Sequence, residues 1–484
     1  MTDFSNSHLR PAATRRTALL LAAVVLAGCA HQAPTSDPIA GTFSVPAVWS
    51  EGDPSQFTPA TSLATWWQRF GDAQLSTLID DALRNSPTVQ SAIAALRQSR
   101  ALVDVAAAGL SPTVKGSSSA QRTRTYSQGG SSSFGLGVDA SWEPDLFGGL
   151  KAGVDAAKAD ARASEMSLAN VQVSLAAEVA LAYIDLRNQQ ARVSIAQNNL
   201  MSQDDTLQIA RWRNQAGLVS SLDVEQASAT AEQTRAQVPL LRAAQQQTQH
   251  RLAVLTGRAP GDLADLGVAP VPLPPDDLIM AFPADTLRQR PDVRQAEAQV
   301  RAALARVAVA DAARYPSLTL SGSLGLQALT LGSLLRSSSA LGSLMAGLTL
   351  PIFDGGAIAG RLESQQAAFE QTRAAYVSSV LTALQDVEDA LSALKGDRER
   401  AVSLNAAAIA ARNANLLATQ QYQAGLIDFN TALQSQRTLL SAQDAQASVI
   451  ASLAADHVQL YKALGGGWSP DAAAPSSSQP TAAR

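Results

Sequence analysis

The segment Ser133-Phe-Gly-Leu-Gly-Val-Asp-Ala-Ser-Trp142 alternates strictly between apolar residues and small or polar ones. Side chains along a β-strand point in turn to its two faces, so the pattern predicts a strand with one apolar face. A tilted strand of roughly 9–11 residues crosses a membrane, and this alternation is typical of membrane barrels. A soluble β-sandwich strand that is buried on one side alternates in the same way. The apolar face comprises Phe134, Leu136, Val138, Ala140 and Trp142.

The chain carries the same plan twice. Similar alternation recurs at Leu318–Leu326 and Leu344–Leu350, and short matching segments flank both copies in the same order. The separation between matched segments is nearly constant and grows slowly along the chain. Ordered matches indicate an internal duplication with a unit of roughly two hundred residues. The matched pairs are Ser86-Pro87 with Arg290-Pro291, Pro144 with Pro351, Ala216-Gly217-Leu218 with Ala424-Gly425-Leu426, and Leu255-Thr-Gly257 with Leu464-Gly-Gly466.

Long helices fill most of each repeat. The stretch Lys151–Arg213 has no strong helix breaker after Gly153, and as one helix it would measure roughly 90 Å at about 1.5 Å per residue. Apolar residues recur at steps of four and three, the spacing of coiled coils. The sequence therefore predicts a mainly α fold in which long antiparallel helices pack together and a few strands form part of a membrane barrel. One apolar series is Val380, Leu384, Val387, Leu391 and Leu394.

These patterns divide the chain into segments. A proline-rich bridge joins the two repeats, and the terminal segments have the composition of a leader, a tether and a disordered tail. The predicted segments are a signal peptide (1–28), a tether (29–62), repeat 1 (63–257, strands at about 112–143, long helices at about 151–255), the bridge (258–283), repeat 2 (284–468, strands at about 316–351, long helices at about 358–463) and the tail (469–484).

Two strands in each repeat give four in the chain. About eight strands are the smallest number that closes a barrel, and an open sheet edge is not tolerated in lipid. If these strands cross a membrane, several chains must therefore share one barrel, with the apolar face in contact with membrane lipid.

The N-terminus resembles a bacterial lipoprotein leader. Three arginines precede a short apolar run, which ends in Leu26-Ala27-Gly28-Cys29. This order is that of a secretory signal peptide, and the run is too short to span a bilayer. Cys29 is the only cysteine in the chain and occupies the position that the lipobox requires, so acylation there, for example with palmitate, is expected. The alternative is an ordinary signal peptide with a chance cysteine. The residue after Cys29 is Ala30, not Asp, and by resemblance to such lipoproteins this favours sorting to the outer membrane.

The helix pairs turn at two similar segments that contain Gly217 and Gly425. Glycine suits the left-handed position that ends a helix, and a polar residue after it can cap the next helix. Asp223, Tyr422 and Asp428 lie beside these turns and are candidate residues of a gate at the helix tip. N-capping is an equally good interpretation of the two aspartates, and packing is an alternative for Tyr422.

Composition argues against other classes of function. The net charge is −4, and no basic stripe with interleaved aromatic residues indicates nucleic acid binding. The four histidines are scattered, so we expect no metal site and no cofactor. The chain has no nucleotide-binding loop and no nucleophile elbow, so we do not expect an enzyme. Energy for any transport must come from another protein.

Four features of the chain carry a family resemblance: Trp66-Trp67-Gln-Arg-Phe70 with Leu75 and Leu78, Tyr461-Lys-Ala-Leu-Gly-Gly-Gly-Trp468, the two Ala-Gly-Leu turns and the lipobox. With them, the mature chain resembles the TolC-like outer-membrane efflux family, in its lipoprotein branch that serves resistance-nodulation-division (RND) multidrug systems (the NodT/OprM type). The resemblance implies a homotrimer with a twelve-stranded β-barrel joined to a periplasmic α-helical barrel. It also implies two partners, a periplasmic adaptor (a membrane fusion protein) and an inner-membrane RND transporter.

The resemblance also implies roles at the tip. In the family, contacts among Asp, Arg and Tyr hold the tip closed, and rings of Asp constrict the lumen. Asp223, six residues after Gly217, matches an aperture Asp, and Tyr422, three residues before Gly425, matches an aperture Tyr. Other positions depart from the family, where some members have Arg or an acidic residue. These departures are Ile427, Thr431 and Gln434.

The predicted function is thus the exit duct of a tripartite efflux pump, passing drugs or other small toxic compounds across the outer membrane. A duct for type I protein secretion is the alternative within the same class. A lipid-anchored periplasmic coiled-coil adaptor or scaffold is the alternative from another class. Such a scaffold would share the heptads and the lipobox, but it gives no reason for duplicated alternating strands.

Overall fold

The computed structural model describes residue 49 and residues 63–125, 129–263, 266–275 and 283–469. Contacts divide the chain into two compact units, each built from separate stretches of sequence. We call residues 100–159 and 300–373 the strand unit. The helical unit consists of the described residues in 43–99, 160–299 and 374–484. The predicted signal peptide, Cys29, the tether apart from residue 49, and the C-terminal tail after residue 469 lie outside the described residues.

One antiparallel sheet organises the strand unit. Its order is β1-β2-β3-β4, so each strand pairs with its neighbours in sequence. The predicted strand Ser133–Trp142 is confirmed and forms most of β2. The strands are β1 (Thr113–Thr125), β2 (Gly129–Trp142), β3 (Ser317–Ala328) and β4 (Ala340–Thr349).

Helices make up the rest of the regular structure. The long helix predicted over Lys151–Arg213 is confirmed as part of a single helix of 67 residues, which is about 100 Å long. The α-helices are α1 (Ala73–Asn85), α2 (Pro87–Ala108), α3 (Gly149–Gln215), α4 (Ser221–Leu255), α5 (Pro283–Gln289), α6 (Pro291–Ala312), α7 (Ala357–Gln423) and α8 (Phe429–Ala463).

The duplication is visible in the lengths of the elements. Helices α2 and α6 both have 22 residues, α3 and α7 both have 67, and α4 and α8 both have 35. Equal lengths match these helices residue by residue, so Pro87 corresponds to Pro291 and Gly149 corresponds to Ala357. The structure therefore confirms two copies of one plan, with extra residues between β3 and β4 in the second copy.

One of the glycine matches between the repeats is wrong by one residue. Gly257 corresponds to Gly465, not to Gly466, because these two residues occupy the same place after α4 and α8. Both have a positive φ (75° and 76°) and close the same helix-ending hydrogen bonds. A run of three glycines hides this difference in the sequence.

The proline match after the second strand of each repeat is also wrong by one residue. Helices α3 and α7 have equal lengths, and counting back from their first residues places Glu143, not Pro144, at the position of Pro351. Glycine and proline matches in loops locate a repeat, but the regular elements around them fix its register.

Heptad residues of α7 form part of the helical unit's core, as predicted. Val380, Val387, Leu391 and Leu394 are buried. Leu384 is partly buried and packs against the same cluster. Helix α3 contains one segment long and apolar enough to cross a membrane, but 56% of that segment is buried among other helices. We therefore assign this segment to packing between helices.

Segments from opposite ends of the sequence meet in the same core. The indole of Trp66 stacks on the ring of Tyr461, with 5.6 Å between ring centroids, and both side chains are fully buried. The amide of Gly467 donates to the carbonyl of Leu63 at 2.9 Å. Two of the segments that carry the family resemblance are therefore the two sides of one contact, which fixes the end of α8 against the chain before α1.

Candidate functional site

The sheet has two chemically different faces. On one face, large apolar side chains are exposed in the single chain: Leu344 is 89% exposed and Leu324 is 73% exposed. A soluble protein rarely leaves a continuous apolar surface of this kind uncovered. The residues of this apolar face include Phe134, Leu136, Val138, Trp142, Leu318, Leu320, Leu324, Leu326, Leu344 and Leu348.

The opposite face consists mainly of small polar residues. Ser323 and Ser343 share a hydrogen bond of 2.8 Å across β3 and β4, and Ser117 donates to Asp139 at 3.0 Å across β1 and β2. Apolar residues on one face and small polar residues on the other match a barrel wall between lipid and a water-filled lumen. Members of this small polar face include Ser117, Ser119, Gly135, Gly137, Ser141, Ser321, Ser323, Gly325, Ser343 and Gly347.

The first helix turn, between α3 and α4, is built around Gly217. Its φ of 74° is left-handed, and the amides of Gly217 and Leu218 donate back to the carbonyls of Asn214 and Arg213, respectively. These bonds form the helix-ending motif for which glycine is favoured.

Asp223 lies just beyond this turn and takes part in a capping box. Its carboxylate accepts from the amide of Ser220 at 3.1 Å, while the Ser220 hydroxyl accepts from the amide of Asp223 at 3.3 Å. The pair satisfies two amides that would otherwise have no partner at the start of α4. The structure thus engages Asp223 in a capping contact within its own helix end.

The second turn, between α7 and α8, repeats this geometry at Gly425, whose φ is 76°. Here the N-cap is Asp428, which accepts from the amide of Thr431 at 2.7 Å. That hydrogen bond holds the pKa of the Asp428 carboxyl below its ordinary value. Compared with the first turn, the carboxylate has moved from the third helical residue to the N-cap.

Tyr422 lies one turn before Gly425 and is buried. Its ring meets that of Phe429 edge to face at 5.8 Å, and the guanidinium of Arg213 lies 4.7 Å from its centroid. Burial raises the pKa of the Tyr422 hydroxyl. That hydroxyl has no hydrogen-bond partner among the described residues, so its ring provides the contacts.

Arg213 connects the ends of the two long helices. Besides lying against Tyr422, it donates to the carbonyl of Gln423 at 2.9 Å. This role of Arg213 is not predicted from the sequence, because the spacing of residues within α3 does not reveal what lies on α7. Its one visible signal is a basic side chain in the last turn of a helix, where it also interacts favourably with the helix dipole.

Ile427 stands where the family resemblance implies an arginine in some members, and it packs against the apolar cluster beside Tyr422. The structure therefore brings Tyr422 and Ile427 together around one small core. In the same core an arginine is supplied by α3, at Arg213, rather than by the second turn. Asp223 and Asp428 lie on the helix starts next to it.

Comparison with known proteins agrees with the two-faced sheet and the paired helix turns. The family model described as "Outer membrane efflux protein" matches residues 78–258 and 282–466, once in each repeat. The chain belongs to the outer membrane efflux protein family. Members of this family are transport proteins. This chain is accordingly an efflux channel of the outer membrane with a periplasmic part.

Individual relatives cover nearly the whole chain. The pyoverdine export outer membrane protein OpmQ of Pseudomonas aeruginosa is 32% identical, over 94% of this chain and 98% of the relative. The toluene efflux pump outer membrane protein TtgC of Pseudomonas putida is 31% identical, over 93% and 95%. The solved outer-membrane channel OprN superposes with a TM-score of 0.82 at 34% identity, covering 89% of this chain and 99% of that one.

Membership confirms the predicted fold class and assembly. The efflux protein is a homotrimer, so three four-stranded sheets supply the twelve strands of one barrel, and its helices belong to an α-barrel. It works with a periplasmic adaptor and an inner-membrane RND transporter. The scaffold alternative is wrong, because the relatives are outer-membrane channels.

Proposed function

We propose that this efflux protein is the exit duct for drugs and other small toxic organic compounds and that it does not select among them. The observation that carries the proposal is the small polar face of the sheet. Serines and glycines offer neither an apolar pocket nor a cluster of charges that would hold one ligand. A lining of this kind suits a hydrated passage, and selection then belongs to the transporter.

The relatives support an unselective duct. OpmQ is named for the export of pyoverdine and TtgC for the efflux of toluene, and these two compounds differ greatly in size and polarity. Ducts of similar sequence thus serve unlike cargoes. Both names refer to small molecules, which favours efflux over the protein-secretion alternative. The proposal assigns no catalytic step to the chain.

The proposal places the gate at the small core around Tyr422. Packing of this ring against Phe429, with Arg213 across it, supports a latch that holds the ends of α3 and α7 together. The capping contacts of Asp223 and Asp428 support a role in shaping the turns. A direct part for the two carboxylates in closing the lumen remains a prediction.

The proposal also includes a lipid anchor on Cys29. The lipobox and the position of the only cysteine support it. Two or more acyl chains give stable anchoring, whereas a single chain binds reversibly. The anchor would add to the hold of the barrel strands on the outer membrane.

Deletion of the gene tests the proposed function. We expect the deletion strain to become several-fold more sensitive to a panel of chemically diverse antibiotics and solvents, and the intact gene on a plasmid to restore resistance. Unchanged sensitivity to the whole panel, with loss of a secreted protein from the medium, would contradict efflux and support protein secretion. Sensitivity to a single compound would contradict the unselective duct.

A further inference from the structure

The four-stranded sheet ends in two edge strands, β1 and β4, that pair on one side only within the described chain. In the homotrimer each β4 must meet β1 of the next protomer, because a barrel has no open edge. This requirement does not determine which residues lie opposite one another. A two-residue slip would keep both faces correct and still change every pair.

A pair of strands of the same two kinds lies inside the chain and shows how such strands pair. Within one chain, β2 and β3 pair with Phe134–Trp142 opposite Leu320–Ala328, and we call this ladder the internal seam. It joins the second strand of one repeat to the first strand of the other. The boundary between protomers, the subunit seam, joins the same two kinds of strand, because β4 is the repeat of β2 and β1 is the repeat of β3.

The equivalence of residues is fixed independently of the seams. Counting forward from the matched helices α2 and α6 makes Thr113 the counterpart of Ser317, and counting back from α3 and α7 makes Ser141 the counterpart of Thr349. The strand pairing within each repeat agrees with both results. Thr113 lies opposite Ser141 in repeat 1, and Ser317 lies opposite Thr349 in repeat 2. By the same count along the first strand of each repeat, Ser117 is the counterpart of Ser321.

We propose that the subunit seam repeats the internal seam residue by residue. Ser141 faces Ser321 in the internal seam, so Thr349 of one protomer faces Ser117 of the next. Stepping along both strands in opposite directions, the ladder reaches Gly342 opposite Arg124. The second copy of this chain is thus the occupant of both sheet edges, in one defined register.

The faces of the sheet agree with this register. It sets Leu348 opposite Ser118 and Ala346 opposite Ala120. Ser118 and Ala120 lie on the apolar face with their partners on β2, and Leu348 and Ala346 lie on that face with theirs on β3. A slip of one residue would place Leu348 opposite Ser119, on the other face, which pleating forbids.

An exposed apolar pair beyond β4 points to the same neighbour. Ile352 and Phe353 are both 92% exposed in the single chain. At the internal seam, the connection after β2 covers the chain before β3, where Phe147 stacks on Tyr315 at 5.0 Å. The counterpart of Tyr315 is Ser111. By the same count the counterpart of Phe147 is Gly355, so the ring stack itself is not repeated. Ile352 and Phe353 lie in the same connection after β4, and in the proposed seam they take the place of that ring against the next protomer's chain just before β1.

Paired cysteines test the register in the full-length protein. Residues directly opposite in a sheet have Cβ atoms about 4.5–5.5 Å apart, and a two-residue shift separates them by about 7 Å, too far for a disulfide. Thr349→Cys with Ser117→Cys should link protomers covalently when outer membranes are mildly oxidised. Thr349→Cys with Ser119→Cys should link them many-fold less.

Two controls make the test decisive. Ser141→Cys with Ser321→Cys places the equivalent pair inside one chain, where an added thiol-reactive label should show that both cysteines are consumed. Thr349→Cys alone reports any linkage through Cys29. The proposal is overturned if the shifted pair links in place of the proposed pair. It is also overturned if neither pair links while trimers form and the internal pair closes.

The exposed residues Ile352 and Phe353 allow a second measurement, the temperature at which the trimer dissociates. Phe353→Ser should lower the temperature at which trimers dissociate in detergent, because the ring loses its cover on the next protomer. Leu335→Ser is the matched control, since Leu335 is also exposed (84%) but lies in the connection between β3 and β4. Equal dissociation temperatures for Phe353→Ser and the unaltered protein would remove Phe353 from the subunit seam.

Discussion

At the residue scale, the two helix turns cap the helix that follows them with the same hydrogen bond but with different side chains. In the first turn Ser220 is the N-cap and Asp223 is the third helical residue. In the second turn Asp428 is the N-cap and Thr431 is the third helical residue. A hydroxyl and a carboxylate have exchanged places, while in each turn the N-cap oxygen still accepts the same amide. The two repeats thus share the N-capping hydrogen bond. The negative charge, by contrast, stands at a different position in each turn.

Substitutions at Tyr422 and Arg213 separate the contribution of the buried ring from that of the cation–π contact. Removing a buried aromatic ring costs about 3–5 kcal/mol, whereas one cation–π contact contributes about 0.5–2 kcal/mol. We therefore expect Tyr422→Ala to open the tip and raise single-channel conductance in planar bilayers several-fold. Arg213→Gln should raise it less.

Tyr422→Phe is the matched control. It keeps the ring and removes only a hydroxyl that has no hydrogen-bond partner among the described residues, so conductance should stay unchanged. Arg211→Gln controls for loss of a nearby positive charge, since Arg211 is exposed. If Tyr422→Ala trimers conduct like the unaltered protein, Tyr422 is a packing residue and the latch lies elsewhere.

At the element scale, the ends of the helices differ in what surrounds them. Gly217 and Gly257 follow α3 and α4 with nearly equal φ values of 74° and 75°. A Cβ at Gly217 would meet open space, but one at Gly257 would lie 2.5 Å from the carbonyl oxygen of Asn85. The same helix-ending motif is thus a solvent-exposed turn in one place and a packing contact with the end of α1 in the other.

Alanine at these two glycines separates the two effects. Gly217→Ala carries only the left-handed backbone penalty, about 1–2 kcal/mol. Gly257→Ala carries that penalty and must also displace backbone atoms at Asn85. We expect Gly257→Ala to lower the midpoint of thermal unfolding, followed by circular dichroism, clearly more than Gly217→Ala does. Equal midpoints of unfolding would show that the backbone at Asn85 moves aside for the added methyl group without a loss of stability.

At the scale of the whole molecule, the apolar face of the sheet determines where the efflux protein resides. Twelve strands with this face outward have a stable place in the outer membrane whether or not Cys29 is acylated. We expect Cys29→Ser, with a cleavable signal peptide supplied, to remain in the detergent-resistant outer-membrane fraction as heat-modifiable trimers. Recovery of that variant as a soluble periplasmic protein would make the lipid the principal anchor.

Sequence alone determined the parts that depend on local periodicity. Alternation located β2, unbroken heptads located the long helices, and matched turns revealed the duplication. These signals repeat along the chain, because side-chain direction follows the backbone period of a strand or helix. The requirement for several chains also followed from the sequence, since four strands do not close a barrel.

Only the tertiary structure decided matters that depend on residues distant in sequence. It paired Trp66 with Tyr461, placed Arg213 of α3 over Tyr422 of α7, and set the strand registers on which the subunit seam rests. It also moved two of the repeat matches by one residue. Such facts are set by packing and hydrogen bonding between elements, and spacing within a single segment carries no record of them.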